Sequence, residues 1–67
     1  MEKEFQLIHV SSELGTRSIN VTETDIEMDM TTPAEEKEQM KNMNVGDKII
    51  IHFGKNPVKT GNLIRRK

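Results

Sequence analysis

Apolar residues in the first third of the chain predict a β-hairpin. Residues 5–10 are partly β-branched and carry apolar side chains at both parities, which favours a strand with neighbours on both faces over a helix. Turn-forming residues follow. Folding the chain back at residues 14–15 would place four apolar side chains on one face of an antiparallel pair, with Val10 opposite Ile19 and Ile8 opposite Val21.

The next apolar residues predict a third extended segment. Ile26, Met28 and Met30 alternate with two carboxylates. Their parity is opposite to that of the second hairpin strand, so one extra residue has to be absorbed. A β-bulge within residues 23–25 would restore the apolar residues to one face, and two separate strands joined by a small turn would do equally well.

The segment Thr-Thr-Pro-Ala-Glu at residues 31–35 predicts the start of a helix. Thr32 is placed to be the N-cap, Pro33 the first helical residue and Glu35 the third, which completes a capping box. The helix is expected to run to residue 42 or 44 across the surface of the domain. The apolar side chains available to face the core are Ala34, Met40 and Met43.

Two further strands are predicted after this helix. Residues 48–53 form the most β-branched segment, which favours a central strand covered on both faces. After loop residues 54–57, residues 58–65 can form a last strand, in which Gly61 indicates a bulge or an edge position. The predicted fold class is α+β: one domain over residues 1–67, with about four mostly antiparallel strands and one short helix in the order β-β-α-β-β, open or closed into a small barrel.

The composition limits the core. The chain has 67 residues and a mass of 7.7 kDa, enough for one small domain. It holds two Phe and no Tyr or Trp, so a homo-oligomer that shares apolar surface is one expected state. The lack of Cys and of long apolar stretches favours a cytoplasmic protein with no disulfide framework, signal peptide or membrane span.

Residues that could carry catalysis or bind a metal are few. Ser12, three residues after His9, would lie on the opposite face of a continuous strand, which prevents a nucleophile–base pair between them. His9 and His52 would form a metal site with Asp25 or Glu27 only if their strands pair, and nothing in the spacing enforces this. The Lys-Thr step at residues 59–60 lacks the preceding Gly of a phosphate loop. We therefore expect no enzymatic activity, no metal and no cofactor.

Acidic side chains recur at every second position of the predicted third strand. On an unbent strand they would form a negative stripe on one face. A solvated strand face whose charges discourage aggregation is the alternative interpretation. Together with two glutamates at the start of the helix, they make up a candidate acidic surface for a basic partner protein: Glu23, Asp25, Glu27, Asp29, Glu35 and Glu36.

Charge is also separated along the chain. Residues 1–40 hold ten acidic and three basic residues, residues 41–67 hold one acidic and seven basic residues, and the net charge is only −1. Three explanations stay open: attraction between the halves, binding of the basic end to nucleic-acid phosphates, and docking of the acidic half on a basic protein. The candidate nucleic-acid-binding residues are Lys55, Lys59, Arg65, Arg66 and Lys67.

The sequence favours a non-enzymatic interaction module. We expect it to bind a partner protein through the acidic surface or through an exposed sheet edge. A small-barrel module that binds nucleic acid with its basic C-terminal segment is the alternative, weakened by the absence of Tyr and Trp for stacking on bases. No motif is specific enough to indicate a family.

Overall fold

A computed structural model describes residues 2–11 and 15–67 of the protein. The domain is α+β, with four strands and two helices: β1 (Glu4–Ser11), β2 (Gly15–Thr22), α1 (Glu23–Met28), α2 (Ala34–Lys41), β3 (Lys48–Phe53) and β4 (Lys59–Arg65). The order agrees with the prediction apart from the additional short helix. Most of the predicted hairpin turn lies outside the described residues.

The strands form one antiparallel sheet in the order β2-β1-β4-β3. β2 and β3 are its two edges and do not pair with each other in the described part of the chain, so the sheet is open and the small barrel is wrong. The predicted central position of residues 48–53 is wrong too, because β3 is an edge strand. β4 is central, and Gly61 serves close packing: a Cβ there would lie 2.9 Å from the Ile8 carbonyl oxygen.

The predicted β1–β2 hairpin is present, but its register differs by three residues. Phe5 pairs with Val21 and Leu7 pairs with Ile19, whereas Val10 lies opposite Thr16. The odd-numbered residues of β1 therefore enter the core, with Phe5 at 1% and Leu7 at 3% exposure. The side chains of Phe5 and Leu7 bury more apolar area in the core than those of Ile8 and Val10 would.

α1 replaces the third strand predicted around residues 26–30. The Thr22 hydroxyl accepts a hydrogen bond from the Asp25 N–H at 3.3 Å, and the Asp25 carboxylate accepts one from the Thr22 N–H at 2.9 Å. This reciprocal capping box starts a helix where the apolar–acidic alternation indicated a strand. Ile26 is buried, whereas Met28 and Met30 are exposed, so the alternation does not describe a buried face.

α2 begins close to the predicted position with a different cap. Pro33 is the N-cap, and no side chain caps the helix. Thr32 is buried and its hydroxyl donates to the His52 carbonyl at 2.8 Å, so it is used in a tertiary contact. Met40 and Met43 enter the core as predicted, but Ala34 is exposed.

The helices cover only one face of the sheet. The buried core residues are Phe5, Leu7, Ile26, Met40, Met43, Ile51 and Leu63. By register, the four strand residues among them share the covered face. The opposite face carries Val10 at 76% and Ile50 at 61% exposure. Within the described ranges, neither helix has the length and apolar character needed to span a membrane.

Candidate functional site

The alternating carboxylates are distributed around α1. Residues two apart on a helix are rotated by about 200°, so Glu23, Asp25 and Glu27 cannot form one stripe. Glu23 pairs with Lys3 at 3.6 Å and Glu27 with Lys41 at 3.1 Å. Hydrogen bonding to Glu27 and its negative charge raise the pKa of Lys41 above its ordinary value. The negative stripe is therefore wrong, and a binding role for these acidic residues stays a prediction.

Asp29 ties the end of α1 to the loop after β3. One carboxylate oxygen accepts from the Thr31 N–H and hydroxyl at 2.8 and 2.5 Å, and the other accepts from the Gly54 N–H at 3.3 Å. Partial burial acts to raise the pKa of Asp29, but the hydrogen bonds outweigh it and leave the pKa below its ordinary value. Asp29 is thus held in a structural contact.

The outer edge of β3 is partly closed by α2 and the residues before it. Glu36 accepts from the His52 backbone N–H at 2.6 Å, and its second oxygen lies 2.7 Å from the His52 Nδ1. The Thr32 hydroxyl occupies the His52 carbonyl. Gln39 lines a recess beside Ile50, further along the same edge. Glu35 is exposed, so the two acidic residues at the start of α2 are in different environments.

The candidate nucleic-acid-binding residues fall into two groups. Residues 65–67 lie where β4 ends beside the start of β1, and Arg65 Nη1 donates to the Met43 carbonyl at 2.7 Å. Lys59 begins the same strand, and Lys55 lies in the loop before it. Six residues of strand span about 20 Å. The five cations therefore do not form a single patch.

The acidic and basic halves of the chain meet at one junction in the sheet. The acidic half supplies β2 and β1, the basic half supplies β4 and β3, and β1 pairs with β4. Lys67 Nζ lies 4.0 Å from a Glu4 carboxylate oxygen, and Arg66 Nε donates to the Gln6 side-chain oxygen at 3.0 Å. These contacts support attraction between the halves, although exposed ion pairs contribute only about 0–1 kcal/mol each. Residues of opposite charge from the two halves therefore meet at the β1–β4 junction.

The histidines take part in different contacts. The rings of His9 and Phe53 meet edge to face, with centroids 5.6 Å apart. His52 contacts Glu36 instead. Across residues 2–11 and 15–67, no three potential metal-ligating side chains come together. The described residues therefore do not assemble the histidine–carboxylate metal site considered from the sequence.

β2 is the more open of the two sheet edges. The backbone N–H of Glu4 donates to the Lys67 carbonyl, and the Glu4 carbonyl accepts from the Arg66 N–H, so the backbone groups of Glu4 face the β4 side. Backbone direction alternates along an antiparallel strand, so the odd-numbered residues of β1 and their β2 partners bond to each other. The even-numbered residues of β2 point outward. Of these outward groups, the Thr22 N–H already donates to the Asp25 carboxylate.

Three residues of β2 carry the open backbone groups: Thr16, Ser18 and Asn20. Within the described ranges, no hydrogen bond engages their N–H or carbonyl groups on the outer side. All residues from 15 to 20 are exposed. The edge therefore presents a row of alternating donors and acceptors, which is the feature a further strand recognises.

The side chains of β2 add chemistry to this edge. Ile19 and Arg17 lie on the covered-face side of the sheet, beyond the part that the helices cover, and Ile19 is 53% exposed. The opposite side carries small polar residues. Among residues 15–20, Arg17 is the only charged residue and proline is absent. The edge thus has one charge and no proline, and so few of the features that usually prevent pairing with another chain.

Protein-family models, curated proteins and solved structures were compared with the chain, and none matches.

The sequence predicted binding at an exposed edge without indicating which strand supplies it. The low charge of residues 15–20 and their lack of proline were the available signal.

Proposed function

We propose that the protein is a non-enzymatic interaction module that binds an extended segment of a partner protein as a fifth strand beside β2. The observation that carries this proposal is the longer open run on β2, where the outward backbone groups of Thr16, Ser18 and Asn20 are all unoccupied within the described ranges. On β3 the Thr32 hydroxyl and Glu36 occupy both outward groups of His52 and leave only the groups nearer the start of the strand open. Strand addition supplies main-chain hydrogen bonds, and alternate side chains supply specificity.

Strand addition also suits the size of the domain. Each hydrogen bond of a new ladder contributes about 0.5–1.5 kcal/mol net, and three outward residues offer six groups. Pairing can therefore stabilise binding with no deep pocket and no rearrangement of the small core. A cytoplasmic location stays part of the proposal, as expected from the cysteine-free sequence.

Proline substitution at Asn20 tests the proposal. Asn20→Pro removes one outward N–H and leaves the β1–β2 ladder intact, because the inward bonds belong to odd-numbered residues. Asn20→Ala is the matched control, since it removes the side chain and keeps the N–H. We expect Asn20→Ala to recover the same partner from a cell extract as the wild type and Asn20→Pro to lose it. Equal recovery by both variants would exclude strand addition at β2.

One observation favours nucleic-acid binding as a second candidate function. Phe53 packs against His9 on the covered-face side of the sheet, and Arg17 is the register partner of His9. Lys59 pairs with Phe53, and Lys55 lies in the adjacent loop. Aromatic rings beside cations are the elements of a single-strand binding surface.

A polarisation assay with labelled single-stranded oligonucleotides separates this candidate from the first. Nucleic-acid binding predicts an affinity that falls steeply with salt and that is lost in Lys59→Glu. Asn20→Pro would leave such binding unchanged, because its effect is confined to the outer edge. No polarisation change at tens of micromolar protein and low salt would remove this candidate.

A further inference from the structure

We infer that the segment received by β2 is an acidic–apolar strand, with an apolar residue opposite Ile19 and a carboxylate opposite Arg17. This inference rests on the proposed strand addition and specifies its partner. For an antiparallel segment the pattern reads apolar-x-apolar-x-acidic, because successive alternate residues face Val21, Ile19 and Arg17 in that order.

The backbone geometry brings these side chains close to the incoming strand. The outward hydrogen bonds belong to Thr16, Ser18 and Asn20, so Arg17 and Ile19 occupy the non-hydrogen-bonded positions of the new pair. Cα atoms approach to about 4.5 Å at such positions, compared with about 5.5 Å at hydrogen-bonded ones. The side chains of Arg17 and Ile19 therefore decide specificity more than their neighbours do.

Ile19 requires an apolar partner because its present surroundings leave it incompletely covered. Its cross-strand neighbour Leu7 is buried at 3% exposure, whereas Ile19 itself remains 53% exposed. Val21, two residues along the same face, packs partly against the core. An apolar side chain opposite Ile19 would extend the core outward by one strand and remove this surface from water.

Arg17 selects for a negative charge. It is exposed and is paired across the sheet with His9. Among described residues 15–20 and 5–10, the covered-face side carries no carboxylate, because the acidic residues of β1 and α1 lie at the opposite end of the sheet. A carboxylate opposite Arg17 is therefore favoured over an amide, and a lysine there is disfavoured.

Synthetic peptides test the inference on the full chain labelled with ¹⁵N. The first peptide alternates Val and Thr and places Glu opposite Arg17; the second has Lys in place of Glu; the third keeps Glu and has Ser opposite Ile19. Dissociation constants come from amide shifts of residues 16–20. We expect the Lys peptide to bind at least about fivefold more weakly and the Ser peptide about tenfold more weakly than the first.

Charge reversal supplies the matched control. Arg17→Glu should reverse the preference, so that the Lys peptide binds more tightly than the Glu peptide, and the difference should shrink at high salt. Equal binding of the Glu and Lys peptides would overturn the inference while strand addition stands. Unchanged binding to Asn20→Pro would overturn strand addition and the inference together. Protection of the β2 amides by a second copy of the chain, with no peptide effect, would likewise overturn the inference.

Discussion

Gly61→Ala tests the packing of the central strand β4. The new Cβ would lie 2.9 Å from the Ile8 carbonyl oxygen, 2.9 Å from Phe53 Cε1 and 3.2 Å from Leu7 Cδ1. Contacts below 3.0 Å require movement of at least one neighbour. The carbonyl belongs to the adjacent backbone, and β4 is paired on both sides, so neither strand can yield without weakening a ladder.

Two opposing free-energy terms set the size of the effect. Replacing Gly by Ala reduces the conformational freedom of the unfolded chain, which stabilises by about 0.4–1 kcal/mol. Overpacking a core costs about 1–3 kcal/mol, and the backbone contact places Gly61 toward the upper part of that range. The expected net loss is about 1–2 kcal/mol. For a domain of this size, the Tm would fall by roughly 4–16 °C.

Urea denaturation followed by circular dichroism at 222 nm measures this loss. We expect the midpoint to fall while the m value stays unchanged, because the surface exposed on unfolding is the same. The companion variant Gly61→Ala with Phe53→Leu removes one of the two closest contacts and should recover part of the stability. A Gly61→Ala protein as stable as the wild type would refute the packing argument.

Three further predictions concern named contacts. Asp29→Asn should lower the free energy of unfolding by about 1–2 kcal/mol at neutral pH. Because the pKa of Asp29 is lowered in the folded state, the carboxylate stabilises the fold above about pH 4 and this stabilisation is lost as the pH falls through the folded-state pKa. The difference in stability from the wild type, measured by chemical denaturation, should therefore narrow near about pH 3. Thr32→Val should cost about 1–2 kcal/mol by leaving the His52 carbonyl unpaired, and equal urea midpoints would contradict this. Met40→Ala at a fully buried site should cost about 2–5 kcal/mol, whereas Met30→Ala at 95% exposure should change stability by less than about 0.5 kcal/mol.

The strands were predictable because hydrophobic pattern and β-branching act locally. β1, β3, β4 and the start of α2 all lie near the predicted residues. The prediction was wrong at α1 because the alternation of Ile26, Met28 and Met30 fits a strand, whereas the equally local capping box of Thr22 and Asp25 starts a helix there. The alternation of apolar and acidic residues therefore does not by itself distinguish a strand from a short helix, and the capping box at Thr22 favours the helix.

Sheet order and register could not be predicted, because both depend on contacts between distant residues. Gly61 was predicted to mark a bulge or an edge position, whereas it lies in a central strand where the Ile8 carbonyl comes close. The same holds for the candidate site. A single sequence indicates that some edge is exposed, whereas the preference for β2 depends on Thr32 and Glu36 occupying the outward backbone groups of His52 on β3.

Site-resolved amide hydrogen exchange measures whether the outer side of β2 is open. We expect fast exchange for Thr16, Ser18 and Asn20 and slow exchange for Arg17 and Ile19, whose amides bond to β1. Addition of the acidic–apolar peptide should then protect the first three residues. Slow exchange at all five positions in the dilute free chain, or no new protection with saturating peptide, would contradict an open strand-accepting edge.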